Sequence, residues 1–204
     1  MKFKKGYWWP DHDFRFSPVR QVQDCEVALK YVKNFNCCVQ AGGNVGVWPK
    51  YLSHRFKEVH TFEPSRENFE CLETNVTEKN IEIYNKALSN KNELVGLTLI
   101  NGFEDYSVAY KITKDLSNFN ALKEAIILDD LNLKPGLIYL DVNGYEYFAI
   151  MGAENTIKQN HPVIAFEESP LAKEYNAGDI DEYLRNIGYK KVDKINRDVI
   201  YTYG

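Results

Sequence analysis

Residues 39–46 read VQAGGNVG. An apolar run, Cys37-Cys38-Val39, leads into Gly42, Gly43 and Gly46. The pattern is that of a strand entering a tight glycine turn that feeds a helix. Glycines at such a turn let the backbone approach a ligand closely. Asn44 tolerates left-handed backbone better than other side chains. The spacing Gly42-x-Asn44-x-Gly46 is one residue tighter than the dinucleotide pattern GxGxxG, which argues against a dehydrogenase. No Lys-Ser/Thr pair follows, so the loop is not a phosphate-cradling one. A tight loop without phosphate ligands favours a nucleoside cofactor.

Outward from the loop, strands and helices alternate. Strands are expected at 37–41, 58–62, 81–85, 93–100, 137–142, 163–167, 189–194 and 197–202. Helices are expected at 21–34, from Gly46 to about Phe56, from Ser65 to about Asn75, from Tyr145 to about Gln159, and at 178–187. Several strands are continuous apolar runs, the mark of a parallel sheet covered on both faces. A turn at Asn196-Arg197 predicts an antiparallel edge strand at the C-terminus. Residues 1–20 and 101–121 show no period and read as irregular.

The chain has 204 residues, enough for one domain with a full core. A net charge of −4 gives no electrostatic footprint for nucleic acid. No apolar run approaches the roughly 18 residues of a membrane helix. The N-terminus MKFKKGYWWPDHDF lacks an apolar leader core, so the expectation is a cytoplasmic protein with no membrane partner. Cys25, Cys37, Cys38 and Cys71 include no CxxC pair and read as small buried hydrophobes, and no metal is expected. Asp11-His12-Asp13 are successive residues, which rarely converge on one ion. His54, His60 and His161 read as structural or surface groups.

In a doubly wound sheet, ligands bind at the carboxyl ends of the strands. Those ends are Gly42-Gly43-Asn44-Val45-Gly46, Phe62-Glu63-Pro64, Asp141-Val142-Asn143-Gly144 and Glu167-Glu168. Glu63 falls about 20 residues after the loop, where an acid accepts hydrogen bonds from ribose hydroxyls. It also suits a helix N-terminus before Ser65.

VQAGGNVG is followed in order by VHTFEPSRENFECLETNV, YNKALSN, ILDDL and IYLDVNGYEYFAIMGAENTIKQNHPVIAFE. Together these resemble the FkbM-type family of class I S-adenosylmethionine-dependent methyltransferases, over about residues 37–168. The resemblance implies an α/β, Rossmann-like, seven-stranded sheet, mostly parallel, with helices on both faces, in a single domain over 1–204. It implies S-adenosylmethionine as cofactor and S-adenosylhomocysteine as product. Cofactor contacts would come from Gln40, Gly42, Gly43, Asn44, Gly46, Glu63, Pro64, Lys86, Ala87 and Asp141. The methyl acceptor would be a hydroxyl on a small molecule or sugar, with no nucleic-acid partner. Asp141 is the first candidate for the general base, with His12 and Glu167 behind it. The N-terminal segment can serve as packing or a turn before the core, or fold over the pocket as a lid. The aromatics Phe103, Tyr106, Tyr110 and Phe119 of segment 101–121 serve either as a substrate-side insertion or as a satellite cluster under a long loop.

Two residues depart from the family pattern. Gln40 stands where the family has Asp, and can hydrogen-bond the cofactor's amino group or a bridging water. Asn143 stands where the family has Glu. They motivate one alternative, an inactive cofactor-binding module. The other alternative is a methyltransferase acting on nucleic acid or protein.

Overall fold

The computed structural model describes residues 1–100, 110–117, 119–175 and 177–204. The chain opens with a hairpin of β1 (Lys2–Lys4) and β2 (Tyr7–Trp9), then short helices α1 (Ser17–Gln21) and α2 (Cys25–Leu29). There follow β3 (Cys37–Ala41), α3 (Val47–Ser53), β4 (Glu58–Phe62), α4 (Arg66–Asn75), β5 (Ile81–Tyr84), β6 (Ala87–Leu88) and β7 (Glu93–Leu99). Next come β8 (Tyr110–Thr113), β9 (Ala121–Ile126), β10 (Leu137–Leu140), α5 (Glu146–Met151) and α6 (Glu154–Asn160). β11 (Val163–Glu167), α7 (Ile180–Asn186), β12 (Tyr189–Ile195) and β13 (Asp198–Tyr203) close the chain.

The main sheet has seven strands in the order β12-β13-β11-β10-β3-β4-β5. Its central pairs are parallel, and β13 runs antiparallel to both neighbours. The reversed strand is thus the C-terminal one, slotted one place in from the edge that β12 forms. Every residue of β3 and β10 is buried, because each strand is covered on both faces. Cys38 packs in one layer with Val45, Trp48, Leu52 and Val59. Val39, its neighbour in sequence, packs in the opposite layer with Ile138, Leu140, Ile150 and Ile157. The alternation is the period of a strand. Among the described residues no helix is long and apolar enough to cross a membrane.

Register aligns the strand ends. Ala41 pairs with Phe62 and with Leu140, and Leu140 pairs with Phe166. The residues that follow, Gly42, Glu63, Asp141 and Glu167, therefore stand in one row along the carboxyl edge.

Several elements differ from the sequence reading. The helix expected over 21–34 is α1, a 3-10 turn at Val22–Asp24, and α2. Tyr31, Val32 and Asn34 are weak helix formers, and the chain leaves the helix before them. The helix expected over 145–159 breaks between α5 and α6. A Cβ on Gly152 would lie 1.9 Å from the Ser89 carbonyl oxygen, so the break lets two backbones meet. Asp129 caps the second piece, accepting from the Asn155 and Thr156 amides at 2.9 and 2.8 Å. Part of the stretch expected to be irregular, 101–121, is β8 and the start of β9. With β6 and β7 they form a second, four-stranded sheet, ordered β6-β9-β7-β8. Its buried residues Val95, Leu97, Ile112 and Ala125 alternate too briefly to stand out in sequence. Phe103 and Tyr106 lie outside the described residues.

The N-terminal segment, expected to be irregular, starts as a hairpin. Lys5 and Gly6 both have positive φ, 51° and 83°, as a two-residue primed turn requires. Trp9 is fully buried against Phe16. Trp8 is tied to α4 through Asn75, which accepts from its amide and donates to its carbonyl.

Candidate cofactor and active site

The glycine loop leaves β3 in a tight, partly left-handed path. Gly42, Asn44 and Gly46 have φ of 87°, 47° and 96°. The amides of Gly42 and Gly43 both donate to the Phe62 carbonyl at 2.9 Å, which folds the loop back over the end of β4. An added Cβ on Gly42 would sit 1.9 Å from the Asp141 carbonyl oxygen. The loop thus rests on the backbone end of β10. Gly46 starts α3.

Glu63 is buried beside the loop. Its Oε2 accepts from the Asn44 amide and its Oε1 from the Ser65 amide, each at 2.8 Å. Burial nevertheless raises its pKa to about 7, against the pull of those two amides. Asn85 donates to the carbonyls of Glu63 and Pro64 at 2.8 and 3.3 Å, which fixes the turn after β4. The cleft between loop and strand ends is lined by Gly42, Asn44, Glu63, Pro64, Lys86, Ala87 and Asp141, and its empty space is 780 Å³ with the open mouth included.

Asp141 continues the row into an acidic group. Loss of water, then Glu167, Asp198 and Glu146, hold its carboxyl well above the usual range, while Arg197 pulls the other way. Glu167 pairs with Arg197 at 2.5 Å. Asp198 accepts from the buried Tyr139 hydroxyl at 2.6 Å. Glu146 accepts from the Val142 and Gly144 amides at 3.0 and 3.2 Å, and burial raises its pKa to about 7.

The structure places the remaining candidates elsewhere. Glu167 and His12 do not line the cleft. His12 faces Glu67 of α4 at 3.2 Å. Gly43 and Gly46 support the loop from behind, against Thr61 and against Val76. Gln40 is buried beneath the loop. Its Nε2 donates to the carbonyls of Ala41 and Gly42 at 3.2 and 3.0 Å, and its Oε1 accepts from Thr61 Oγ1 at 2.6 Å. Sequence reasoning missed Pro18, Gln21, Trp48 and Lys111, which also line the cleft. They come from segments far apart in the chain, and no motif marks them. Tyr110 lines it as well, from the insertion where aromatics were expected to serve substrate.

The Gln40 geometry carries a prediction. Gln40→Glu sets a carboxylate against two carbonyl oxygens that can only accept. It is expected to lower stability by about 2–3 kcal/mol and the melting temperature by about 5–10 °C. The new acid would hold its proton more tightly folded than unfolded. The loss is therefore complete above its folded-state pKa and fades as pH falls through it. Thermal unfolding at pH 8 and pH 5 checks this; equal melting of variant and wild type at pH 8 would remove the assigned role.

A family model described as the methyltransferase FkbM domain matches residues 40–191. The chain belongs to the FkbM methyltransferase family. An FkbM methyltransferase structure from Methylobacillus flagellatus KT superposes with a TM-score of 0.56 at 18% identity, covering 82% of this chain and 43% of its own. The chain therefore spans less than half the length of that relative. A ribosomal protein L11 methylase from Lactobacillus delbrueckii subsp. bulgaricus gives 0.55 at 10% identity, covering 93% of this chain and 79% of its own. A precorrin 8w decarboxylase from Methanobacterium thermoautotrophicum gives 0.51 at 13% identity, covering 96% and 98%. At these identities the likeness is one of fold. No curated protein matches the sequence.

Methyltransferases of this family and fold use S-adenosylmethionine. The residues present fit it. Gly42, having no Cβ, lets the loop rest on the Asp141 carbonyl, and both residues line the cleft. The lysines that line the cleft are already engaged: Lys86 with Glu124 at 2.7 Å and Lys111 with Glu174. With Glu63 and Asp141 on the wall, the cleft suits a cationic sulfonium better than a diphosphate.

Proposed function

We propose that this FkbM-family chain transfers a methyl group from S-adenosylmethionine to a hydroxyl of a small molecule or sugar. The observation that supports it is the row on one edge: the Gly42 loop, the Glu63 carboxylate and the Asp141 carboxylate, all lining a single cleft. Residues 1–204 are taken as one methyltransferase domain. A cytoplasmic setting accords with four free, buried cysteines.

The cofactor, when bound, supplies an electrophilic methyl on a positively charged sulfur. The chain's own residues do the rest. Glu63 would accept the two ribose hydroxyls on its remaining lone pairs. Lys86 and Ala87 would flank the base. Asp141 would take the acceptor's hydroxyl proton on a carboxylate oxygen. Its raised proton affinity makes it a stronger base than a surface aspartate. Pro18, Gln21 and Tyr110 also line the cleft and would face the acceptor.

The test is calorimetry with S-adenosylmethionine and S-adenosylhomocysteine, with NAD as control. Micromolar binding of the methyl cofactors and none of NAD is expected, followed by methyl transfer in a screen of sugars and hydroxylated metabolites. Glu63 must be ionised to accept two hydroxyls, and its pKa is about 7. Binding should therefore tighten about tenfold from pH 6 to pH 8. Glu63→Gln should flatten that dependence and weaken binding about 10–100-fold at pH 8. Preference for NAD would end the reading, as would a transfer that proceeds only on RNA or protein. Tight binding with no acceptor of any class would make the chain a binding module.

A further inference from the structure

A second group of donors lies at the opposite end of the main sheet. Cys37 opens β3 and Glu58 opens β4, and the two are register partners on adjacent parallel strands. Their side chains therefore leave the sheet on the same face. His60, two residues along β4, faces the same way. One donor atom from each, a thiol sulfur, a carboxylate oxygen and a ring nitrogen, all lie within 4.8 Å of one another. Cys37 is buried, His60 half-buried and Glu58 exposed. Gly42 lies five residues beyond Cys37 on the same strand line, about 16 Å away at the rise of an extended chain. The cluster is thus separate from the cofactor cleft.

We propose that Cys37, Glu58 and His60 bind a zinc-type divalent cation that clips β3 to β4 at this end of the sheet. The donor set is the borderline-soft mixture of sulfur, nitrogen and oxygen that zinc takes. Tetrahedral ligands at zinc distances stand about 3.5 Å apart, so closure asks for about 1 Å of movement. The exposed Glu58 side chain can supply it by a change of rotamer. Tyr84 sets the ring of His60 from outside the donor set, stacking on it at 6.0 Å with its hydroxyl 3.1 Å from Nδ1. Metal-bound histidines usually have such a partner.

Charge agrees with the assignment, and the proton on Cys37 is the cost that metal binding must meet. Burial lowers the pKa of His60, against the opposing pull of Glu58 and Glu82, so at neutral pH it is the neutral ligand form. Burial, then Glu58, push the Cys37 thiol up to about 12, so without metal it keeps its proton. Binding would break the S–H bond, form a sulfur–metal bond and release the proton to solvent. One thiolate and one carboxylate then balance a dication, leaving a half-buried site with no net charge. A water fills the fourth position. Sequence spacing gives no sign of this site, because strand register rather than a CxxC motif gathers the donors.

Cobalt(II) is the probe, titrated into the chelator-treated, dialysed full chain. Expected are a thiolate-to-cobalt absorption band in the near ultraviolet saturating at one equivalent, loss of the band on adding zinc, and a proton released per metal bound. Cys37→Ser should abolish the band, whereas Cys71→Ser, in a different buried cysteine, should leave it. His60→Gln should weaken binding about 10–100-fold and serves as the second variant if Cys37→Ser does not fold. No thiolate band at one equivalent, or a band that survives both Cys37→Ser and His60→Gln, overturns the proposal.

Discussion

Gly42→Ala is expected to lower the melting temperature by about 10 °C and to weaken S-adenosylmethionine binding at least about 100-fold. Two costs add. A side chain at a φ of 87° is strained whatever space surrounds it, at about 1–2 kcal/mol. The new Cβ would also sit 1.9 Å from the Asp141 carbonyl oxygen, a backbone atom that no rotamer change can move aside. Overpacking of that kind costs about 1–3 kcal/mol. Relief requires the loop to lift from the end of β10, and the proposed cofactor contacts would lift with it. Gly43→Ala is the internal control. Its Cβ would meet the Thr61 hydroxyl at 2.6 Å, and its backbone is not left-handed, so the loss should be smaller. Calorimetric melting and cofactor titration of both variants check the pair. Equal behaviour of the two would show that the loop does not depend on its contact with Asp141.

The same contact explains how much of this molecule was legible in its sequence. Strands covered on both faces must be largely apolar, so CCVQA, LIYL and VIAFE announced the parallel core. Residues that directly follow such strands fall on one edge by topology alone, which is why Gly42, Glu63 and Asp141 could be placed side by side. Side-chain direction was not legible. Gln40 ends up under the loop rather than on the wall of the cleft. His12 reaches Glu67 on the outside of α4. Elements set by tertiary contact were hidden as well. The break at Gly152 exists because Ser89 passes there, and β8 and β9 are strands because they pair with β7.

The two departures from the family pattern share one physical logic. Gln40 donates to the carbonyls of Ala41 and Gly42, and Asn143 donates to the Tyr110 carbonyl at 2.8 Å. A carboxylate can do neither. Asn143 also has a φ of 55°, a conformation asparagine accepts more readily than glutamate. Each amide ties backbone to backbone: the first braces the glycine loop, the second fastens β8 to the end of β10. The exchanges therefore read as structural reinforcement around an acid, Asp141, that is kept.

Asp141→Asn separates that acid's chemistry from its cost. The turnover rate is expected to fall about 10²–10⁴-fold, the usual worth of a general base, while the melting temperature rises by about 2–4 °C. The rise follows from sign. Burial and the charges of Glu167, Asp198 and Glu146 hold the Asp141 carboxyl well above its unfolded value. Folding then disfavours its charged form, and the cost is fully felt above the folded-state pKa and fades as pH falls through it. Asparagine keeps the shape and carries no charge, so the repulsion among the four carboxylates is eased. Wild-type turnover should climb with pH as Asp141 ionises, and the residual rate of the variant should not. Affinity for S-adenosylhomocysteine, measured alongside, distinguishes the two roles open to this residue. A base leaves affinity near wild type, whereas a residue that mainly positions the cofactor loses affinity in step with rate. A variant that turns over within about threefold of wild type would remove Asp141 from the chemistry and leave it as one more wall of the cleft. A more stable but slower enzyme would show that the chain keeps a strained acid at this edge because the reaction needs it.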